Sequence, residues 1–288
     1  MKLTKQQTKK HNEAMELVNL SRKLTDFEVM FILENFHPGA SNNISQNGAF
    51  FTPLTLASDL ATFAYPTADP GSLRYIDACA GIGTLSKMLL EADSVEHKIT
   101  EIVAIESNLQ YVKIGRKILP QVTWVHGSIF NLELLEQLGL FDIGVSNPPY
   151  GTVSSNVSER SWLPFEQPAH MAVAAVLSHV CKRGAELIIP VTDHDQTNSI
   201  SPYYYDNKHR RAKYSSKLQA TSLNYTRFKQ AYPHMTLVPD PVDCSKYAFK
   251  GANPAVSVVS LNPTEHTNPY YGQFNAKTVN LKLKLSIS

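Results

Sequence analysis

The residues best suited to chemistry form the stretch Ser146-Asn147-Pro148-Pro149-Tyr150. It follows an apolar run, residues 141–145, which is typical of a buried strand that ends at turn residues. Asn-Pro is also a common turn opener, which would give the stretch no function. The two prolines fix their own φ angles and stiffen the corner. The pattern therefore predicts a carboxamide and an aromatic ring at the carboxyl end of a strand, where ligands bind in open α/β sheets.

A glycine turn lies upstream of this corner. Strand 73–76 is predicted to run into Asp77-Ala78-Cys79-Ala80-Gly81-Ile82-Gly83, and a helix follows to about Ala92. A strand, a glycine turn and a helix bring backbone N–H groups close to a ligand. The glycines permit close approach and unusual φ angles, although the full G-x-G-x-x-G dinucleotide pattern is absent.

The next two predicted strands end in polar residues. Strand 102–105 ends at Glu106, about 29 residues after Asp77, and an acid in this position can hold both hydroxyls of a ribose. After strand 122–125, Ser128 could hydrogen-bond the adenine of a nucleoside ligand and Ile129 could pack on it.

An aromatic segment, Phe50-Phe51-Thr52-Pro53, precedes all of these strands. Thr52 before Pro53 predicts a helix start, with proline at the first helical position. The two aromatic rings could form a hydrophobic staple or wall a planar ligand, and the pattern leaves both readings open.

In this order, the motifs resemble those of S-adenosylmethionine-dependent N6-adenine DNA methyltransferases of the restriction-modification type. The resemblance covers residues 45–262, and Asn-Pro-Pro-Tyr resembles the family's catalytic motif. It implies S-adenosylmethionine as the cofactor. The cofactor-binding residues that it implies are Phe51, Thr52, Pro53, Asp77, Ala78, Gly81, Gly83, Glu106, Ser128, Ile129 and Asn147. Ser128 departs from the family, which usually has an acid after the third strand.

The family's reaction accounts for the residue types in the corner. The N6 lone pair of adenine is delocalised into the ring, so the amine is a poor nucleophile. The Asn147 side-chain oxygen and the Pro148 carbonyl could accept both N6 hydrogens, while Pro149 stiffens the corner and Tyr150 stacks on the base. These four residues are the expected catalytic group, and the reaction needs no metal. The base must be flipped out of a duplex or come from a single strand.

Three alternatives remain open. The first two are an RNA adenine-N6 methyltransferase and a protein glutamine-N5 methyltransferase. Both can use Asn-Pro-Pro-Tyr, because the substrates of both have a planar nitrogen with a delocalised lone pair. A non-catalytic cofactor-binding protein that interferes with restriction, or serves as a subunit, is the third.

The composition and charge of the chain exclude few classes of function. The chain has 288 residues, a net charge of +2 and a pI of about 8.3, so the charge alone does not indicate a nucleic-acid partner. Cys79, Cys181 and Cys244 have no metal-ligand spacing and are expected to be reduced thiols. The amino terminus does not resemble a signal peptide, and no apolar run is long enough for a membrane span. These features predict a cytoplasmic protein.

The predicted organisation has three parts. Residues 1–45 form an N-terminal helical extension, whose second helix opens with a capping box at Thr25 and Glu28 and has Phe27 on its core face. Residues 46–262 form the methyltransferase domain, an α/β fold with a doubly wound, mostly parallel, seven-stranded sheet. Residues 263–288 form a C-terminal tail.

Residues 192–230 interrupt the methyltransferase domain with interleaved basic and aromatic residues, which suit phosphate contacts and base stacking. A solvated loop is the plainer reading. The expected DNA-contacting residues are Lys208, Arg210, Arg211, Lys213 and Lys217. The catalytic fold leaves little room for a target-recognition region. The chain is therefore expected to have a short or relaxed target sequence, or to rely on a recognition subunit or a homodimer.

Overall fold

A computed structural model describes residues 3–37, 51–65, 71–94, 98–150, 161–163, 168–190, 227–239 and 256–263. The predicted DNA-contacting residues 208–217 lie outside these ranges, as do Phe50, the loop 38–48, Cys244 and the tail beyond residue 263. None of the described helices is long and apolar enough to cross a membrane.

The described residues contain seven strands: β1 (Leu73–Ala78), β2 (Ile99–Glu106), β3 (Thr123–His126), β4 (Ile143–Ser146), β5 (Ala185–Pro190), β6 (Met235–Pro239) and β7 (Val256–Pro263). They form one sheet in the order β3-β2-β1-β4-β5-β7-β6. All pairs are parallel except those of β7, which runs antiparallel to β5 and β6. The predicted doubly wound, mostly parallel, seven-stranded sheet is thereby confirmed.

The helices cover both faces of the sheet because side chains alternate along each strand. The described helices are α1 (Lys5–Val18), α2 (Asp26–Asn35), α3 (Leu54–Ala64), α4 (Thr84–Ala92), α5 (Leu109–Ile118), α6 (Leu132–Leu138) and α7 (Ala169–Val180). Tyr75 and Ala104 belong to the core on the face of α1 to α5, while Ile76 and Val103 belong to the core on the face of α6 and α7. Residues 227–231 add a short helical segment to the second face.

The N-terminal helices pack on the main domain. The predicted capping box of α2 is present, with Thr25 and Glu28 bonding reciprocally. Lys87 of α4 is almost buried and forms an ion pair with Asp26 at the start of α2. Lys117 of α5 donates a hydrogen bond to the Arg22 carbonyl, with an N–O distance of 2.7 Å. Both contacts dock the α1–α2 pair against the layer that carries α4 and α5.

Three local predictions differ from the structure. Phe27 is 80% exposed rather than on the core face of α2, whose buried side chains include Val29 and Ile32. Helix α3 begins one residue later than expected, with Pro53 at the N-cap and no side-chain cap. Helix α6 was not expected, although Asn131 caps it by accepting a hydrogen bond from the Leu134 N–H at 3.1 Å.

Candidate active site

Three strand ends meet at one edge of the sheet. Ala78, the last residue of β1, pairs with Ile105 of β2 on one side and with Ser146 of β4 on the other. The Ser146 hydroxyl donates a hydrogen bond to the Ala78 carbonyl, with an O–O distance of 2.5 Å. The glycine turn, Glu106 and the Asn-Pro-Pro-Tyr corner therefore leave the sheet side by side, as ligand binding at a sheet edge requires.

The glycine turn has an unusual backbone. Gly81 has a φ of +59°, and a Cβ at this position would lie 3.3 Å from Cε1 of Phe51. Cys79 also has a positive φ, +64°, which is rare for a residue other than glycine. Gly83 faces the core instead, because a Cβ there would lie 2.8 Å from Leu119. Close packing against the core is therefore enough to explain why this position carries glycine, and no ligand contact is needed to explain it.

Glu106 ties this turn to the next one. Its Oε2 accepts a hydrogen bond from the Gly81 N–H at 2.8 Å, and its Oε1 accepts one from the Asn108 N–H at 2.7 Å. The Ser107 hydroxyl donates a longer bond of 3.3 Å to Oε1. Burial raises the pKa of the Glu106 carboxyl, and the two backbone donors oppose this rise. A carboxylate has about four acceptor sites, so capacity remains for a further donor.

Asp77 lies at the base of the turn and is fully buried. Its Oδ2 accepts hydrogen bonds from Ser86, at 2.6 Å from the hydroxyl and 3.1 Å from the N–H. Its Oδ1 is buried without a hydrogen-bond partner. Burial raises the pKa of Asp77 to about 7, although the Ser86 donors lower it. The turn therefore rests on a carboxyl whose ionised form is poorly solvated.

The Asn147 carboxamide is held at both ends. Its Nδ2 donates a hydrogen bond to the Thr52 hydroxyl oxygen at 2.9 Å, and its Oδ1 accepts one from the Tyr150 hydroxyl at 2.5 Å. Thr52 is thus bound to the corner, which explains why it does not cap α3. Pro148 is buried, while Pro149 and Tyr150 are half-buried. The Tyr150 ring meets His170 of α7 edge-on, with the ring centroids 6.2 Å apart.

The turn after β3 has the expected pair of residues. Ser128 is half-buried, and its hydroxyl oxygen accepts a hydrogen bond from the Phe130 N–H at 3.2 Å. Ile129 is buried in the core on the α6 and α7 face. Adenine contact by these two residues stays a prediction.

Sequence reasoning missed an aromatic cluster beside the glycine turn, formed by Phe36, Phe51 and Tyr111. The Phe51 ring lies 5.2 Å from that of Tyr111 and 5.6 Å from that of Phe36, both edge-on. Phe36 and Tyr111 complete the cluster at 5.9 Å. The position of the Phe51 ring over Gly81 is therefore fixed by packing against Phe36, which follows α2, and Tyr111, which lies in α5. The aromatic residue types alone could have drawn attention to them, but their meeting depends on the fold.

Comparison with known proteins identifies the fold. No family profile matches the chain, and no curated protein matches it in sequence. A type I restriction-modification system methyltransferase subunit from Streptococcus thermophilus is similar in structure, with a TM-score of 0.55 at 13% identity, covering 82% of this chain and 48% of that one. The chain has the Rossmann-like methyltransferase fold.

Two further structures share this fold. One is assigned as a modification subunit of a type I restriction enzyme from Vibrio vulnificus YJ016, with a TM-score of 0.54 at 12% identity, covering 84% of this chain and 51% of that one. The other is assigned as a class I S-adenosylmethionine-dependent methyltransferase from Listeria monocytogenes. Its TM-score is 0.52 at 12% identity, and the match covers 91% of this chain and 89% of that one. The chain spans about half the length of the two restriction-modification subunits.

Proposed function

We propose that this chain transfers a methyl group from S-adenosylmethionine to the N6 amino group of adenine in DNA. The observation that carries the proposal is the Asn147 carboxamide at the carboxyl end of β4, beside the glycine turn and oriented by two side-chain hydrogen bonds. An oriented amide oxygen is suited to accept a hydrogen from a planar amine. Such an acceptor costs little reorganisation during the reaction.

The residues around the glycine turn fit this cofactor. The Glu106 carboxylate lies beside the turn, where its charge favours a cationic ligand, and the Oδ1 of Asp77 beneath the turn has no hydrogen-bond partner. Glu106 retains acceptor capacity for ribose hydroxyls. Gly81 leaves space that a Cβ would fill next to Phe51. When bound, S-adenosylmethionine supplies an electrophilic methyl group on a sulfonium sulfur.

The corner acts on the acceptor amine. Asn147 Oδ1 and the Pro148 carbonyl accept the two N6 hydrogens, so the nitrogen lone pair becomes available for attack. Because the Tyr150 hydroxyl bonds Oδ1, the incoming N6–H shares this oxygen with it or displaces it. An amide oxygen has two lone pairs and can accept both donors. The methylated amine then loses its extra proton to solvent.

DNA as the polymer is supported by the fold shared with two subunits that are assigned to type I restriction-modification systems. A partner that recognises the target sequence, either a recognition subunit or a second copy of the chain, is part of the proposal. The short or relaxed target sequence stays a prediction.

The test is methyl transfer from labelled S-adenosylmethionine to unmethylated duplex DNA, followed by digestion and identification of the labelled nucleoside. Single-stranded DNA, RNA and a glutamine-bearing release-factor-like protein run in parallel as acceptors. Asn147→Ala should abolish the label, and Asn19→Ala, an exposed asparagine at the end of α1, should not. We expect N6-methyladenine from DNA. Label only in RNA or only in protein would refute the DNA assignment, and equal label from Asn147→Ala would refute the role of the corner.

A further inference from the structure

Thr52 lies beside the Asn-Pro-Pro-Tyr corner, and its side-chain hydroxyl makes a different hydrogen bond from the helix cap that its sequence position predicts. A threonine just before a helix is expected to cap it. Here Pro53 is the N-cap of α3, which has no side-chain cap. The Thr52 hydroxyl oxygen instead accepts a hydrogen bond from Asn147 Nδ2, a residue 95 positions away in the chain. Thr52 is 7% exposed, so its hydroxyl is largely shielded from water.

This bond holds the Nδ2 end of the carboxamide. With Nδ2 bound to Thr52, the amide oxygen turns to the opposite side, where it accepts from Tyr150. A carboxamide rotated by half a turn would present its NH₂ group there, and that group cannot accept a hydrogen from an amine. The orientation of Asn147 therefore determines whether the corner can bind an amino group in the way the reaction needs.

We propose that Thr52 is a positioning residue for the acceptor amine, acting through Asn147, rather than a contact of the cofactor. The proposal rests on the methyl-transfer function proposed above. Side chains that hold a reacting group in one orientation contribute mainly to the rate of the chemical step, because small misplacements are costly there. Thr52 should then affect kcat much more than the affinity for S-adenosylmethionine.

The experiment compares Thr52→Val, which removes the hydroxyl at constant shape, with Thr52→Ser, which retains it. The matched control is Thr62→Val in α3, the helix that follows Thr52, because the exposed Thr62 hydroxyl donates a hydrogen bond to the Ser58 carbonyl of the same helix. Methyl-transfer rates, KM for DNA and the calorimetric Kd for S-adenosylmethionine are measured for each. We expect Thr52→Val to lower kcat by about 10-fold to 100-fold, with the cofactor Kd within about twofold of wild type, and Thr52→Ser to restore most of the rate.

A spectroscopic measurement tests the hydrogen bond between Asn147 and Thr52 independently of methyl-transfer activity. Selective ¹⁵N-asparagine labelling reports the side-chain NH₂ of Asn147, whose resonance is identified by its loss in Asn147→Ala. The NH₂ protons should exchange slowly with solvent in wild type and in Thr52→Ser, and faster in Thr52→Val.

Each outcome decides one question. A Thr52→Val variant with wild-type kcat, or one whose cofactor Kd rises as much as its rate falls, overturns the positioning role. If wild type methylates no acceptor, the proposed function fails, and the exchange measurement still decides the contact. Unchanged protection of the Asn147 amide in Thr52→Val would then overturn the proposal.

Discussion

Replacing Asp77 with asparagine should change how the stability of this protein depends on pH. Asp77 is fully buried, and its Oδ1 has no hydrogen-bond partner. Burial raises the pKa of its carboxyl from the ordinary value of 3.8 to about 7. The folded state therefore binds a proton that the unfolded state releases between these two pH values, and stability must fall as pH rises across that window.

The magnitude follows from the width of the window. Each pH unit corresponds to about 1.4 kcal/mol, so about three units give at most roughly 4 kcal/mol of destabilisation above pH 7. Asp77→Asn removes this penalty because the amide stays neutral. Its NH₂ group can take the place of the unpaired Oδ1, and an unpaired buried donor costs about 1–3 kcal/mol. The expected net gain at pH 8 is therefore about 1–3 kcal/mol.

The assay is urea unfolding of wild type and Asp77→Asn at a series of pH values from 4 to 8. Glu16→Gln, which neutralises an exposed carboxylate of α1, is the matched control. The unfolding free energy of Asp77→Asn minus that of wild type should fall by about 4 kcal/mol from pH 8 to pH 4, where Asp77 in the folded wild type is protonated. The variant should therefore be more stable than wild type at pH 8 and less stable than wild type at pH 4. A difference that stays constant with pH would refute the reasoning, because it would mean that Asp77 has the same pKa in both states.

Two further predictions concern packing around the glycine turn. Phe36→Ala should lower the free energy of unfolding by about 3–5 kcal/mol and weaken cofactor binding roughly twofold to tenfold through the lost ring contacts. Phe27→Ala, which removes an exposed ring in the first turn of α2, should change neither the unfolding free energy in chemical unfolding nor the cofactor affinity in calorimetry. Equal effects of the two variants would contradict the aromatic cluster. Gly83→Ala should destabilise the fold by about 2–4 kcal/mol, because it places a Cβ at a φ of +96° and 2.8 Å from Leu119; an unfolding midpoint equal to that of wild type would contradict this packing.

The sequence predicts the sheet and the order of the site motifs because both depend on local patterns. Apolar runs, the glycine turn and Asn-Pro-Pro-Tyr each lie within a few residues, and parallel topology then brings Ala78, Ile105 and Ser146 to one edge. The bond from Asn147 to Thr52 joins residues 95 positions apart, and no local pattern encodes it. Its consequence for α3 could not be foreseen either, since Thr52 before Pro53 has the sequence of an ordinary helix start.

Two smaller errors have local causes. Helix α2 is apolar on nearly all sides, so the spacing of its side chains does not select the face that carries Phe27. Helix α6 is only seven residues long, which is short for recognition by periodicity. Its cap at Asn131 and its leucines were nevertheless visible in the sequence.

The contact of Phe36 with Phe51 and Tyr111 has a thermodynamic consequence for the first two helices. The ring that packs on the glycine turn is held partly by a residue that follows α2, so the docking of α1 and α2 and the shape of the turn are linked equilibria. A ligand that binds the ordered turn must then also stabilise the docked helices, by the same free energy with which the docked helices favour the ligand. The N-terminal helices are thus coupled to the glycine turn, although they contribute no residue to the sheet.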